Sequence, residues 1–206
     1  MADVKSLNFS EKVKHITTYD RTLHAKTIII AAGAHPKKLG IPDEEELTGM
    51  GVHYCAHCDG RFYKDKTVVV VGGGNSAVSD ALYLSHLAKK VYLIHRRDTL
   101  RAAKIYQDPL FAAENVEILW NSTVSEILTD QRVIGVTVKN LGTNQESDLS
   151  ADGVFVSIGR SPASELFRGE IALDDGGYII ADESTKTNVD GVFAVGDIRQ
   201  KALRQV

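Results

Sequence analysis

The sequence predicts an α/β fold built on parallel strands, and three successive segments lead to this prediction. An apolar strand, Thr67–Val71, runs directly into a run of three glycines. A helix follows over Asn75–Lys89, where apolar residues recur at helical spacing. The next strand, Val91–His95, completes a strand–helix–strand unit, which joins parallel strands. We therefore expect a Rossmann-like, three-layer α/β domain around this unit.

Two further parts of the chain show the same order of predicted strands. Residues 13–19 alternate as one strand of a hairpin, and the apolar strand Thr27–Ile30 then ends at a small-x-Gly corner. Later in the chain, a small antiparallel meander is predicted, with the strands Val116–Leu119, Val124–Leu128 and Val133–Lys139. The strand Val154–Ile158 follows it and ends at a similar corner. We interpret this as an internal repeat. Because a strand–helix–strand unit precedes only the second copy, another nucleotide-binding unit is expected upstream of Met1.

Composition and charge narrow the class of protein. The chain has 206 residues, 43% of them hydrophobic and 25% charged, as in an ordinary globular protein. No apolar run approaches the ~20 residues of a membrane helix, and residues 1–14 contain no secretory signal, so no membrane partner is expected. Two cysteines cannot form a disulfide framework, which favours redox chemistry in the cytoplasm.

The net charge of −3 is unevenly distributed. Residues 86–104 carry six cations against the single anion Asp98; the cations are Lys89, Lys90, Arg96, Arg97, Arg101 and Lys104. A nucleic-acid binder would spread positive charge over a face. Positive charge confined to one short region favours a small polyanionic ligand, and no nucleic acid is expected as a partner.

The glycine run matches the dinucleotide-binding fingerprint as Gly72-x-Gly74-x-x-Ala77 between a strand and a helix. Gly72 allows the tight turn, and Gly74 lets a pyrophosphate approach the backbone. Ala77 allows close packing of the helix on the strand. The free amides at the start of the helix would hold phosphate oxygens.

The end of the next strand indicates which dinucleotide binds. An NAD site would carry an acidic residue about 20 residues after the fingerprint. This chain has His95-Arg96-Arg97 there, with Arg101 one helical turn later. Guanidinium groups bind a 2′-phosphate in bidentate fashion, whereas a carboxylate would repel it. We therefore expect NADPH as the cofactor, preferred over NADH by ~100-fold.

The segment Cys55-Ala56-His57-Cys58-Asp59-Gly60 contains a C-x-x-C pair. Such a pair is either a redox dithiol or half of a zinc site. A second cysteine pair is absent from the sequence, so no metal is expected and the redox reading is favoured. Asp59 would then exchange the proton that a thiol–thiolate cycle needs. His53 and His57 either tune the thiols or cover the loop.

Four motifs in this order resemble the low-molecular-weight bacterial thioredoxin reductases, and the resemblance covers essentially the whole chain. The motifs are Tyr54–Gly60, Gly72–Ala77, His95–Asp98 and Val192–Asp197. The resemblance implies the two-dinucleotide-binding flavoprotein fold and a cytoplasmic homodimer. It also implies a reaction in which hydride passes from NADPH to FAD, and electrons then reach the active-site disulfide and thioredoxin.

The resemblance also implies roles for individual residues. Cys58 would be the thiol nearest the flavin, Cys55 the thiol that attacks thioredoxin, and Asp59 the acid/base partner. Other residues would bind the two cofactors. Gly72, Gly74, Asn75, Ser76 and Ala77 would hold the pyrophosphate side of NADPH, His95, Arg96, Arg97 and Arg101 its 2′-phosphate end, and Gly196, Asp197, Arg204 and Gln205 would lie against FAD.

The chain departs from that family in its FAD half. A second glycine fingerprint is absent, and the first small-Thr-Gly corner is Ala32-Gly33. We therefore expect remnants of an FAD-binding domain at residues 1–36 and 159–206, and a complete NADPH-binding domain at 37–158. This chain is expected to bind NADPH with little or no turnover. The alternatives are the flavoprotein subunit of alkyl hydroperoxide reductase, which the arginine pair disfavours, and a zinc-binding module.

Overall fold

The computed structural model describes residues 3–201. The strands are β1 (Val4–Asn8), β2 (Lys14–Thr18), β3 (Thr22–Ala25), β4 (Ile28–Ile30), β5 (Ala34–Pro36), β6 (Val52–His53), β7 (Thr67–Gly72), β8 (Lys90–Ile94), β9 (Val116–Leu119), β10 (Ser122–Asp130), β11 (Arg132–Asn140), β12 (Glu146–Ser150), β13 (Gly153–Ser157), β14 (Arg160–Pro162) and β15 (Val192–Ala194). The helices are α1 (Ala56–Asp59), α2 (Asn75–Ser85) and α3 (Lys104–Ala112). Short 3₁₀ turns lie at Gly60–Tyr63, Glu165–Phe167 and Gly196–Ile198.

Within residues 3–201, no helix combines the length and the apolar character that crossing a membrane requires.

The chain divides into two compact units. One contains the described residues up to His35 and from Arg160 onward, and the other runs from Pro36 to Gly159. The assignment of these units to an FAD half and an NADPH half stays a prediction.

The unit from Pro36 to Gly159 is built on a five-stranded sheet in the order β6-β13-β7-β8-β9. All neighbouring strands in it are parallel. Val71 pairs with Ile94 on one side and with Val156 on the other. The carboxyl ends of the three central strands therefore lie at one edge of the sheet, where α/β proteins bind their ligands.

The sheet is covered on both faces, which gives three layers. Val68 and Val70 of β7 pack with α2 residues such as Leu84 in one apolar cluster. Their neighbours Val69 and Val71 pack in a second cluster with the antiparallel sheet β10-β11-β12. A strand buried on both faces reads as a continuous apolar run, because neither face is exposed to water. This explains the unbroken valines of β7.

The other unit repeats part of this order. The meander β1-β2-β3 precedes β4, as β10-β11-β12 precedes β13. Both following strands end near a glycine with positive φ, Gly33 at 71° and Gly159 at 106°. β4 pairs in parallel with β15, above a small core that includes Phe9, Ile179 and Ile198. The internal repeat predicted from the sequence is therefore present at the level of strand order.

The predicted α/β class is confirmed, but one strand was assigned to the wrong sheet. Val116–Leu119 was expected in the antiparallel meander, whereas β9 pairs in parallel with β8 at the edge of the main sheet. The segment between β8 and β9 contains α3, which the sequence analysis did not anticipate. Its apolar residues Ile105 and Phe111 are exposed, and Pro109 interrupts the pattern, so the segment lacks the buried stripe that marks a helix.

The helix expected to run to Lys89 ends earlier, at Ser85. The Ser85 hydroxyl donates to the Leu82 carbonyl oxygen at 2.7 Å, and the His86 Nδ1 lies 2.8 Å from the same oxygen. These side chains compete with the backbone for one acceptor, which favours the end of a helix.

The glycine turn depends on the close approach of three backbone segments. Gly72 has φ 152°, and a Cβ added there would overlap the Ser157 carbonyl oxygen and lie 2.6 Å from the Cβ of Ala77. For Gly74, in contrast, no atom of the described residues lies within 4 Å of such a Cβ, and φ is −94°. Gly72 is therefore required by packing and backbone conformation, while Gly74 leaves space free.

We expect Gly72→Ala to destabilise the chain by about 2–3 kcal/mol, because it combines steric overlap with a strained backbone. Gly74→Ala, the matched control, should cost less than about 1 kcal/mol. Urea unfolding of both variants measures this difference. Equal losses would contradict the packing described for Gly72.

Candidate functional site

A cavity of about 480 Å³ opens at the carboxyl ends of β7, β8 and β13. It contains most of the residues expected to bind a dinucleotide, together with several that were not expected. The lining residues are Lys37, Leu39, Val71, Gly72, Gly73, Gly74, Asn75, Ser76, Ile94, His95, Arg96, Arg101, Ser122, Thr123, Ser157, Ile158 and Gly159.

The start of α2 faces this cavity. Gly74 is the N-cap residue of the helix, and no side chain caps it. The first backbone N–H groups of a helix have no partner within the helix and carry the positive end of its dipole. Ser76 lies in the lining, whereas Ala77 is fully buried behind the turn. The arrangement suits a phosphate group, and a side chain at position 74 would occupy the same space.

Two hydrogen bonds tie the basic loop after β8 to the glycine turn. The Arg101 N–H donates to the Gly73 carbonyl oxygen at 2.8 Å. The Ala103 N–H donates to the Asn75 Oδ1, also at 2.8 Å. Arg96 and Arg101 line the cavity, while Arg97 is exposed and lies outside the lining. The structure thus brings two of the three predicted arginines to the cavity.

His95 forms part of the cavity wall. It is 5% exposed, and its Nε2 lies 2.9 Å from the Thr99 carbonyl oxygen. Burial lowers the pKa of His95, which disfavours the charged form of the imidazole. A Cβ at Gly73 would overlap the His95 ring, which explains the middle glycine of the run. His95 therefore shapes the turn.

The sequence analysis missed four polar lining residues: Lys37, Ser122, Thr123 and Ser157. They come from three segments of the chain, and only the Ser157-Ile158-Gly159 corner gave a signal. The Ser157 hydroxyl donates to the Asp80 Oδ2 at 2.5 Å. Asp80 lies on α2, where burial raises the pKa of its carboxyl group and His57 opposes that shift.

The two cysteines lie on the same unit and are joined by a disulfide bond. Cys55 is the N-cap residue of α1, and its Sγ accepts a hydrogen bond from the Cys58 N–H at 3.2 Å. Cys58 is exposed, whereas Cys55 is half-buried. Among residues 3–201, no group of three or more His, Cys, Asp or Glu is placed to hold a metal ion.

The residues around the disulfide are held by side-chain contacts. The Nδ1 of His53 lies 3.1 Å from the Asp59 Oδ2. His57 packs against the ring of Tyr83, with 4.2 Å between the ring centroids. The Tyr54 hydroxyl donates to the Glu44 Oε1 at 2.9 Å. Neither ambiguous histidine is therefore free: one partners Asp59 and the other covers α2.

The other unit contains the remaining predicted cofactor residues that the structure describes. Gly196 and Asp197 begin the 3₁₀ turn after β15, and the Asp197 Oδ1 lies 3.7 Å from the Lys201 Nζ. Arg204 and Gln205 lie outside the described residues. One carboxylate beside a glycine does not by itself make a flavin site.

The cavity at the carboxyl ends of the parallel strands and the cysteine disulfide lie on one α/β unit. The sequence pattern of the pyridine nucleotide-disulphide oxidoreductases matches residues 2–206. The chain belongs to the pyridine nucleotide-disulphide oxidoreductase family.

Similar proteins confirm the resemblance stated from the motifs. The chain is 47% identical to a thioredoxin reductase of Peptoclostridium acidaminophilum, over 100% of this chain and 67% of that protein. It is 46% identical to one of Listeria monocytogenes, over 99% of this chain and 64% of the other. A crystal structure of thioredoxin reductase from Streptococcus pyogenes is 44% identical with a TM-score of 0.85, covering 99% of this chain and 67% of that one. The chain thus spans about two thirds of the length of these relatives. The comparisons favour neither the alkyl hydroperoxide reductase subunit nor the zinc-binding module.

The raised pKa of Asp80 gives a test of the site. Because burial raises the pKa of Asp80 in the folded state, the protonated carboxyl group contributes stability that is present below the ordinary pKa of 3.8 and is lost as pH rises through the folded value. Asp80→Asn should therefore raise the free energy of unfolding at pH 7, and the gain should shrink toward pH 4. Urea unfolding between these pH values measures it.

Asp182 is a control of opposite sign, because hydrogen bonds from Ser184 lower its pKa. Asp182→Asn should reduce stability at pH 7, with the loss shrinking as pH falls. A gain for Asp80→Asn that does not depend on pH would contradict the assignment.

Proposed function

We propose that this chain binds NADPH in the cavity at Gly72–Ser76 and takes part, through Cys55 and Cys58, in the reduction of a thioredoxin disulfide. The observation that carries the proposal is the cavity itself, where an uncapped helix start and two guanidinium groups surround one space. The family and the names of the relatives support the reaction.

Different residues of the cavity would bind different parts of the coenzyme. The α2 amides bind the pyrophosphate, and the absent side chain at Gly74 leaves room for it. Arg96 and Arg101 bind the 2′-phosphate, since charge-assisted bidentate contacts are the strong ones. NADPH supplies two electrons as a hydride, which FAD carries onward in the family. Arg97 would attract the coenzyme only through long-range electrostatics.

The cysteine pair would exchange electrons with the disulfide of thioredoxin. Once reduced, Cys55 attacks one sulfur of that disulfide and forms a mixed disulfide. Cys58 then attacks Cys55, which restores the Cys55–Cys58 bond and releases thioredoxin as a dithiol. Asp59 gives a proton to a departing thiolate and takes one back, since it lies next to Cys58 with its side chain 35% exposed.

Further parts of the proposal come from the resemblance alone. They are FAD as the second cofactor, with Gly196 and Asp197 beside it, the homodimer and the cytoplasmic address. The boundaries of the NADPH-binding domain, 37–158, belong to the same proposal.

Titration of the chain with NADPH and with NADH, with the heat of binding measured by calorimetry, tests the coenzyme site. We expect NADPH to bind ~100-fold more tightly, because two charge-assisted contacts reach only the 2′-phosphate. Arg96→Ala and Arg101→Ala should each weaken NADPH binding roughly tenfold and leave NADH binding nearly unchanged.

Arg97→Ala is the matched control, because its side chain lies outside the lining, and its effect should stay within about threefold. Equal binding of both coenzymes, or binding indifferent to Arg96 and Arg101, would overturn the assignment.

A further inference from the structure

His53 occupies a buried position that the proposed reaction does not use. Its ring is 6% exposed and stacks on Phe155, with 5.2 Å between centroids and an interplanar angle of 27°. The Nδ1 lies 3.1 Å from the Asp59 Oδ2, and the Nε2 lies 2.7 Å from the Tyr63 hydroxyl. One imidazole therefore joins Asp59 to Tyr63 in a continuous chain of hydrogen bonds.

The Asp59 carboxyl group indicates which nitrogen of His53 carries the proton, because the Oδ2 atom beside Nδ1 is an acceptor. Burial, and then the charge of Asp59, raise the pKa of Tyr63 to about 12, so its hydroxyl stays protonated and can donate to Nε2. With its proton on Nδ1, the ring accepts from the Tyr63 hydroxyl at Nε2. The Nδ1–H donates to the Asp59 Oδ2. Every polar atom of the ring is satisfied in this tautomer.

The surroundings fix this geometry. A Cβ on Gly153 would lie 2.6 Å from the Cζ and 2.9 Å from the hydroxyl oxygen of Tyr63. Only glycine at this position admits the tyrosine ring. Because His53 is clamped between Phe155 and Tyr63, a single buried imidazole holds the partly exposed Asp59 carboxyl group in one place.

We propose that His53 is a positioning residue that holds Asp59 through its Oδ2, so that Oδ1 is the oxygen that carries and delivers the proton. Tyr63 supports this role by donating a hydrogen bond to Nε2 of His53, which leaves Nδ1 as the donor to Asp59. The inference rests on the proton-transfer role of Asp59 proposed above and extends it to residues that are not adjacent to the cysteines in sequence.

The step can be studied with an external dithiol as the reductant. A thiolate of the reagent attacks the Cys55–Cys58 disulfide, and the S–S bond breaks as the departing sulfur takes the electron pair. Asp59 gives its Oδ1 proton to that sulfur and is reprotonated by solvent. The second thiol of the reagent closes the reagent to a cyclic disulfide, so two electrons pass to the protein, and the second cysteine takes its proton from the reagent.

Several charged groups lie around this chain of hydrogen bonds. Asp152, just before β13, and Arg132 of β11 act on Tyr63 together with Asp59. The Lys66 Nζ lies 5.4 Å from the centroid of the Tyr63 ring.

The experiment follows reduction of the full chain by dithiothreitol from pH 4 to 9, with each rate divided by the reagent's thiolate concentration. His53→Gln and His53→Asn form the matched pair. The amide nitrogen of Asn can replace Nδ1 and keep the bond to Asp59, whereas that of Gln replaces Nε2. Asp59→Asn reports the proton transfer itself.

We expect Asp59→Asn to lower the low-pH rate roughly a hundredfold and to abolish the pH dependence. His53→Gln should lower that rate roughly tenfold and move the inflection to higher pH, because the carboxylate loses a donor. His53→Asn should keep the wild-type inflection, with a rate within about threefold of wild type.

Three results would count against these roles. A wild-type rate for Asp59→Asn would refute the proposed proton transfer. A slow Asp59→Asn together with a wild-type profile for His53→Gln would refute only the role of His53. If His53→Asn is as impaired as His53→Gln, packing of the ring matters and the Nδ1 bond does not.

Discussion

The site depends on the parallel register between β13, β7 and β8. Pairing of Val71 with Val156 and Ile94 brings three strand ends to one edge. The Ser157 carbonyl oxygen then lies so close to Gly72 that no side chain fits there. The same approach leads the chain into α2 with its first amides facing the cavity. A shift of one residue in this register would turn the apolar faces of β7 and separate the cavity residues.

The basic loop after β8 and the disulfide segment around Cys55 and Cys58 are held in place by different kinds of interaction. Backbone and side-chain hydrogen bonds attach the loop at Arg101 and Ala103 to the glycine turn. The disulfide segment is held instead by side-chain contacts, since His53 and Tyr54 contact Asp59 and Glu44. In the proposed function, charge on the loop provides affinity for a polyanion, and the buried His53 provides fixed geometry for proton transfer. These two parts of the proposal thus depend on different segments of the chain.

The sequence was most informative where local chemistry determines structure. Gly72 and Ala77 revealed the turn because no other residue types satisfy its packing, and the valines of β7 revealed a strand buried on both faces. The sequence did not predict contacts between residues that come from distant segments of the chain. β9 was placed in the wrong sheet because a short apolar strand does not indicate its neighbour. Lys37 and Asp80 gave no local signal, and His53 remained ambiguous until Tyr63 and Asp59 were seen beside it.

The central claim is that the coenzyme lies on the glycine turn, and NMR of the isotopically labelled chain tests it most directly. Addition of NADPH should shift the backbone amide signals of residues 72–76 most strongly, followed by those of Arg96, Arg101 and residues 157–159. Signals of β1-β2-β3 should remain in place, since that meander belongs to the other unit. Saturable shifts that leave residues 72–76 unmoved, or no shifts at millimolar NADPH, would contradict the account.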